Sequence, residues 1–280
     1  MEMSIAGAQL REALGEPGCP FCRLIHQAEC YHIELMLREY VTDGAVRLGV
    51  ALSRGMCAQH AWALQAAEQL GWQDGNKTAT FYESAALDVR RILGAYSVDA
   101  DAASRADRRR AWLQRKGRLG LWLARRLLPV TAATSLSEAL SPQAPCPLCQ
   151  VRERIAAMHL ARLWAGLDDP TFCGALTASD GLCLPHLRFA LANAPTDAAA
   201  QRLIEISRAH LDELLAHLQS YMDKHRWQDR PELRSPVENA SWVRMVAYLA
   251  GEPTDDASEV MQTLRQRAAG DYRARETKRK

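Results

Sequence analysis

The sequence contains four short motifs built from cysteine and histidine. Cys-Pro-x-Cys occurs at Cys19–Cys22 and again at Cys146–Cys149. Each is followed by Ser-x-Gly-apolar-Cys-x-x-His, which ends in Cys57–His60 and in Cys183–His186, with 34 or 33 residues between the Cys-Pro-x-Cys motif and the cysteine of the second motif. The first motifs are 127 residues apart and the second motifs 126, so an internal duplication of the whole unit is the simplest explanation.

Three thiolates and one imidazole form a complete ligand set for a tetrahedral zinc ion. Two ligands separated by two residues can both face one ion when the chain turns tightly between them. We therefore predict two zinc ions, one in each repeat, and a full set of four ligands favours structural over catalytic metal. The ligands predicted for the first ion are Cys19, Cys22, Cys57 and His60, and those for the second are Cys146, Cys149, Cys183 and His186.

Two other cysteine chemistries remain open. A Cys-Pro-x-Cys motif also begins a helix in thioredoxin-like redox proteins, but those need strands around the motif, and this sequence shows helical periodicity instead. Iron–sulfur clusters use cysteine and sometimes histidine ligands, and the sequence does not exclude them. The remaining cysteines, Cys30 and Cys173, are interpreted as buried thiols, and the repeated His32 and His159 as helix-packing residues.

The elements that position these motifs are expected to be helices. Proline after the first cysteine suits the first turn of a helix, and helical patterning follows each motif at once. The predicted fold is all-α, with two pseudo-repeated helical units, each held together by its own CxxC…CxxH metal site and joined by a basic helical insert. The predicted boundaries are 15–98 for the first unit, 99–143 for the insert, 144–228 for the second unit, 229–270 for C-terminal helices and 271–280 for a basic tail.

Composition places the chain among ordinary globular proteins. Of its 280 residues, 48% are hydrophobic and 24% charged. The sequence has no secretory signal and no apolar run long enough to span a bilayer, so we expect a cytoplasmic protein. Eight cysteines in a reducing compartment then favour metal ligands over structural disulfides.

The insert carries a concentrated positive charge. Arg105–Arg126 contains nine Lys or Arg residues and one Asp, a local charge of +8, with tryptophan and leucine interleaved. Such a segment can lie on an anionic membrane surface or contact nucleic-acid phosphates, or it can pack its apolar residues on the core with the arginines solvated.

The motif set resembles that of a bacterial family catalogued as a domain of unknown function. Its members have a duplicated CPxC…GxCxxH unit, and "CPFC…GMCAQH", "CPLC…GLCLPH" and "SWVRMVAYLAGEP" carry the resemblance here. The first repeat reads "TDG" where the second reads "DDP". The resemblance implies zinc-binding units over most of the chain and implies no activity.

These observations favour a non-enzymatic zinc protein with a scaffold, interaction or regulatory role, and they leave enzymatic activity undecided. The expected partner is another protein. The alternatives are a nucleic-acid-binding regulator that uses the insert, and a thiol-based redox sensor, oxidoreductase or iron–sulfur protein.

Overall fold

The computed structural model describes residues 5–94, 112, 133–227 and 235–252. Within these ranges the chain forms eleven α-helices and no β-strand, which confirms the predicted all-α class. The helices are α1 (Ile5–Leu14), α2 (Pro20–Arg38), α3 (Gly44–Leu52), α4 (Ala58–Trp72), α5 (Asn76–Gly94), α6 (Ala133–Leu140), α7 (Pro147–Gly166), α8 (Pro170–Ala178), α9 (Leu184–Ala192), α10 (Asp197–Trp227) and α11 (Pro236–Ala250).

The helices repeat as the sequence does. Helices α1–α5 correspond in order to α6–α10, and α11 follows the second set without a counterpart among the described residues. Helix α6 falls inside the segment 99–143 that the sequence analysis assigned to the insert, yet it takes the place of α1 in the second repeat. Apart from Trp112, the segment 105–126 lies outside the described residues, as does the tail 271–280. Of the predicted C-terminal helices in 229–270, α11 is described.

Several helix starts are fixed by capping residues that match between the repeats. Asp43 caps α3 by accepting hydrogen bonds from two backbone N–H groups, and its counterpart Asp169 caps α8 in the same way with one. The Thr196 hydroxyl accepts a hydrogen bond from the Ala199 N–H at 3.1 Å and so caps the start of α10. Because these side chains satisfy backbone donors that a helix leaves free, they hold each start at one residue.

The described chain forms two compact units, and neither is a single repeat. The first unit takes residues 5–31, 151–227 and 235–252, and the second takes 32–94, 112 and 133–150. The first unit thus combines α1 and the start of α2 with α8–α11 and most of α7. The second combines the rest of α2 and α3–α5 with α6 and the start of α7. The opening segment of each repeat therefore belongs with the later helices of the other repeat.

Helix lengths explain this exchange. Helix α2 has 19 residues and carries the chain about 28 Å away from the first motif, at 1.5 Å per residue. Helix α3 has only nine residues and covers about 13 Å. The same inequality holds for α7, with 20 residues, and α8, with nine. The short helix alone does not cover the distance back, and in the structure the second motif of each repeat lies with the first motif of the other repeat.

Each unit has a buried apolar core around its helices. In the first unit Phe21, Leu163 and Leu176 are at most 1% exposed, and the cysteines of two motifs belong to the same cluster. In the second unit Leu64 and Phe81 are fully buried. No described helix has both the length and the apolar composition needed to cross a membrane.

Helix α10 carries apolar residues at helical spacing that are only partly buried. Leu214 is buried, whereas Leu215 is 38% exposed and Met222 is 45% exposed. Earlier on the same helix, Leu203 and Ser207 are buried. The helix is 31 residues long, and its N-terminal half makes the deeper contact with the core of the first unit.

Candidate metal centres

The eight predicted ligands gather into two groups, and each group draws on both repeats. Site A consists of Cys19, Cys22, Cys183 and His186, and site B consists of Cys57, His60, Cys146 and Cys149. These are the eight ligands that the motifs predicted, but the prediction assigned both motifs of one repeat to the same ion. The structure corrects that pairing, because each first motif meets the second motif of the other repeat. In both sites all four ligand atoms lie within 4.8 Å of one another.

The distances between ligand atoms suit one tetrahedral zinc ion at each site. With Zn–S of about 2.3 Å and Zn–N of about 2.0–2.1 Å, a regular tetrahedron has S···S edges of about 3.8 Å and S···N edges of about 3.6 Å. In site A the Cys22 and Cys183 sulfurs are 3.7 Å apart, and the three sulfurs lie 3.1, 3.4 and 3.5 Å from the His186 Nδ1 atom. No cysteine in the chain forms a disulfide.

Site B repeats this geometry closely. The Cys57 and Cys149 sulfurs are 3.7 Å apart. The sulfurs of Cys57, Cys149 and Cys146 lie 3.2, 3.4 and 3.5 Å from the His60 Nδ1 atom. Two groups of different sequence context thus reach the same spacing, which is the spacing that one shared ion requires.

Each site is built from the N-termini of two helices. Helices α2, α4, α7 and α9 each begin one residue after the first cysteine of a motif. The carbonyl of that cysteine accepts the first helical hydrogen bond, at 2.8–3.2 Å in all four cases. The two ligands of each motif therefore occupy the N-cap and N3 positions, whose side chains face each other in a capping box. The local helix start thus explains the two-residue spacing.

The two Cys-x-x-His motifs have nearly identical backbones. Cys57 has φ −62° and ψ 159°, and Cys183 has φ −65° and ψ 158°. Neither N-cap side chain makes a capping hydrogen bond. Both sulfurs are instead directed to the shared ligand group. The helix N-terminus places partial positive charge beside them, which favours thiolate over thiol.

The thiols of site B differ in how readily they ionise. Burial opposes ionisation of Cys146, but hydrogen bonds with His60 and with backbone amides outweigh it and lower its pKa to about 6. Burial and the negative charge on Cys146 raise the pKa of Cys149 to about 12. Close thiolates repel one another, so a divalent cation is needed to hold three of them together in this site.

Site A shows the same conflict between neighbouring thiols. Burial opposes ionisation of Cys19, yet hydrogen bonds from Cys183 and Cys22 stabilise its thiolate and place its pKa well below the usual value. Hydrogen bonds with Cys183 and Cys19, together with burial, raise the pKa of Cys22. Three sulfurs at this spacing are compatible with three thiolates only when a cation compensates their charge.

A turn that contains a glycine precedes the second motif in both repeats. Gly55 has φ +92° and Gly181 has φ +70°, a region that favours glycine. A Cβ at Gly55 would lie 3.1 Å from the Tyr82 ring, and one at Gly181 would lie 2.4 Å from the His210 ring. The glycine of the Ser-x-Gly-apolar-Cys pattern is thus needed because a side chain of α5 or α10 packs directly against the turn.

Site A has an additional cover that the sequence analysis did not identify. The Glu252 carboxylate accepts a hydrogen bond from the Cys19 N–H at 2.7 Å. A Cβ at Gly251 would lie 3.7 Å from the Cys22 sulfur and 3.8 Å from the Cys183 sulfur. Both residues directly follow α11. The only sequence signal was the segment "LAGEP", which looks like an ordinary helix end.

The other cysteines and histidines take no part in these sites. Cys30 lies 3.6 Å from the Nε2 atom of His26, one turn away on α2. His159 is 2% exposed and lies near the Phe21 ring, which agrees with its interpretation as a packing residue. Burial lowers the pKa of His159. Its repeat counterpart His32 is only half-buried, so the repeated histidines have different surroundings.

A cavity of about 450 Å³ adjoins site A. Its walls include Cys19, Asp180, His210, Arg244 and Glu252. Within the described ranges, no third group of histidine, cysteine and acidic side chains converges to metal-binding distances. Comparisons of the chain with family models, with curated proteins and with solved structures found no match.

Proposed function

We propose that this chain is a non-enzymatic zinc protein that binds two ions, one at site A and one at site B, as structural elements of its fold. One observation carries the proposal: two separate Cys₃His groups share the same S···S spacing of 3.7 Å and S···N spacings of 3.1–3.5 Å. Thiolates and imidazole in a tetrahedral set of this size are the usual ligands of structural zinc.

The ligand count supports a structural role over a catalytic one. Catalytic zinc sites use three protein ligands and leave one position for water or substrate. Here each site offers four protein ligands, so a tetrahedral ion would have no open position. The energy involved is large, because zinc binding to a Cys/His site contributes roughly 10–16 kcal/mol while a whole domain is stable by about 5–15 kcal/mol.

The small size of each ligand group favours a single ion over an iron–sulfur cluster. All four ligand atoms of each site lie within 4.8 Å of one another, which leaves room for one ion among them. A cluster places several irons and bridging sulfides between its ligands and needs a wider frame. Zinc is therefore the proposed metal, and finding iron in the purified chain would overturn this assignment.

Elemental analysis of the purified chain tests this proposal. Protein prepared without oxygen and without added metal is expected to contain two zinc ions per chain, and a strong chelator is expected to lower its melting temperature by tens of degrees. Iron with inorganic sulfide would indicate a cluster protein. A metal-free chain that folds with eight reactive thiols would contradict the proposal.

The proposed role is that of a scaffold or regulator that acts through a protein partner. Each helical unit is held together by a metal site without an open coordination position and offers its surface to a protein partner. Binding to nucleic acid or to a membrane would instead depend on the basic segment 105–126. The discriminating measurement is binding to DNA, RNA and anionic vesicles at low salt, where no binding is expected. Binding that weakens steeply with salt, and that disappears when the arginines of this segment are replaced, would favour the alternative.

A further inference from the structure

The two sites have the same ligands and the same spacing but differ in how well their sulfurs are covered. In site A the three cysteines are 4%, 8% and 2% exposed. In site B only Cys146 is buried among the cysteines, and both Cys57 and Cys149 are partly exposed. Sites A and B can therefore be compared directly, because their ligands are the same and only the exposure of their cysteines differs.

The cover of site A comes from the segment Gly251–Glu252, which follows α11. A Cβ added at Gly251 would meet the Cys22 and Cys183 sulfurs at 3.7 and 3.8 Å, so this residue lies directly beside the two sulfurs. The Glu252 carboxylate bonds to the Cys19 N–H and is held close to the site. The segment therefore occupies space beside the sulfurs of site A through which an oxidant would have to approach them. Among the described residues, α11 has no counterpart in the first repeat, and no described segment takes the place of Gly251–Glu252 at site B.

The two partly exposed sulfurs of site B are also close neighbours. The Cys57 and Cys149 sulfurs are 3.7 Å apart and belong to different helices, α4 through its N-cap and α7 through its first turn. Formation of a disulfide needs them to approach to about 2.05 Å. Accessible thiolates beside a second thiolate are the cysteines that react first with oxidants.

We propose that site B is an oxidation site, at which hydrogen peroxide converts Cys57 and Cys149 to a disulfide and releases the zinc ion, while Gly251–Glu252 protects site A. The proposal rests on the proposed function, since it requires zinc in both sites. One thiolate attacks a peroxide oxygen, breaks the O–O bond, and gives a sulfenic acid and hydroxide. The second thiolate attacks that sulfur, forms the S–S bond and expels another hydroxide. Each sulfur loses one electron, and peroxide gains two.

The reaction leaves the ion at site B with two ligands. Cys146 and His60 alone do not complete a tetrahedral set, so the ion dissociates. Site A keeps its four ligands and its ion. The disulfide keeps the start of α7 tied to the start of α4. Cys146 and His60 lose the ion that they shared with these helix starts, and the first unit is left intact. The disulfide is reversible by thiols, so the change can be undone.

The experiment follows zinc release from the full chain during treatment with hydrogen peroxide. A colorimetric chelator measures the released zinc, and alkylation followed by peptide mass spectrometry identifies the oxidised cysteines. One zinc ion is expected to leave roughly tenfold faster than the other, together with a disulfide between the peptides of Cys57 and Cys149. Reduction with a thiol and added zinc should restore two ions per chain.

Substitutions of Glu252 test the protection of site A. Glu252→Ala is expected to accelerate zinc release from site A several-fold, towards the rate of site B. Glu252→Gln retains an acceptor for the Cys19 N–H and should show a smaller change. Glu213→Ala is the matched control, because Glu213 lines the same cavity without bonding to a ligand residue. Zinc release from site B should be unchanged in all three variants.

The outcomes separate this proposal from the proposed function. A chain that contains no zinc before treatment contradicts the proposed function and this inference with it. A chain with two zinc ions that leave together, or that loses the ion of site A first, overturns only the inference. Equal site A rates in Glu252→Ala and in the control would overturn the protective role of the segment.

Discussion

The crosswise pairing of the motifs predicts how double substitutions reduce the zinc content. In the structure Cys19 and Cys183 belong to one site, whereas Cys19 and Cys57 belong to different sites. Replacing Cys19 and Cys183 by Ser should destroy site A and leave one zinc ion per chain. Replacing Cys19 and Cys57 should damage both sites and leave none when a competing chelator is present.

The size of the effect follows from the number of ligands lost. Zinc binding of about 10–16 kcal/mol, shared by four ligands, gives roughly 3 kcal/mol for each, which corresponds to about a hundredfold in affinity. A site that lacks one ligand is therefore weakened about a hundredfold, and a site that lacks two about ten-thousandfold. A chelator can be chosen that strips a three-ligand site and spares a four-ligand site.

The assay is zinc content after equilibration with such a chelator, measured by elemental analysis on chains of equal concentration. Cys173→Ser is the control, because Cys173 belongs to neither site and the variant should keep two ions. Circular dichroism records how much helix each variant retains. If Cys19→Ser with Cys57→Ser keeps one ion while Cys19→Ser with Cys183→Ser keeps none, the motifs pair within each repeat and the crosswise sites are refuted.

Three further predictions concern metal removal and two buried carboxylates. Chelation should reduce helical content measured by circular dichroism, and added zinc should restore it; unchanged helicity would contradict structural metal. Glu68 is buried and accepts bonds from the Lys77 and Thr78 N–H groups at 2.8 and 2.7 Å, so Glu68→Ala should cost about 2 kcal/mol in urea unfolding. Bonds from Lys224 lower the pKa of Glu238 from 4.5 to about 2. Its ionised form therefore stabilises the fold above pH 4.5 and loses that effect as pH falls towards 2. The melting-temperature difference between wild type and Glu238→Gln should shrink over that range, and a constant difference would show that charge is unimportant.

The ligand residues could be read from the sequence because their spacing is a local property. Cys19 and Cys22 are the N-cap and N3 residues of one helix start, and Pro20 between them marks that start. The same holds for Cys146 and Cys149 around Pro147. A helix start fixes both side chains without help from the rest of the chain.

The residues that surround the sites could not be predicted from the sequence in the same way. Gly251 and Glu252 approach site A from more than 60 residues beyond its last ligand, His186. No periodicity connects them to a cysteine. His32 and His159 occupy matching positions in the repeats, yet one is half-buried and the other is 2% exposed, because different helices pack against them.

The sequence by itself determined the helical class, the repeat, and the eight ligands in four pairs, since each of these depends on contacts within one or two helical turns. Only the tertiary structure decided which pairs meet. Both repeats carry the same donors at the same spacing, so pairing within a repeat and pairing across repeats satisfy the metal equally well. The long α2 and α7 are each followed by a short helix that covers less than half of their length, and this difference favours the crosswise arrangement that the structure shows.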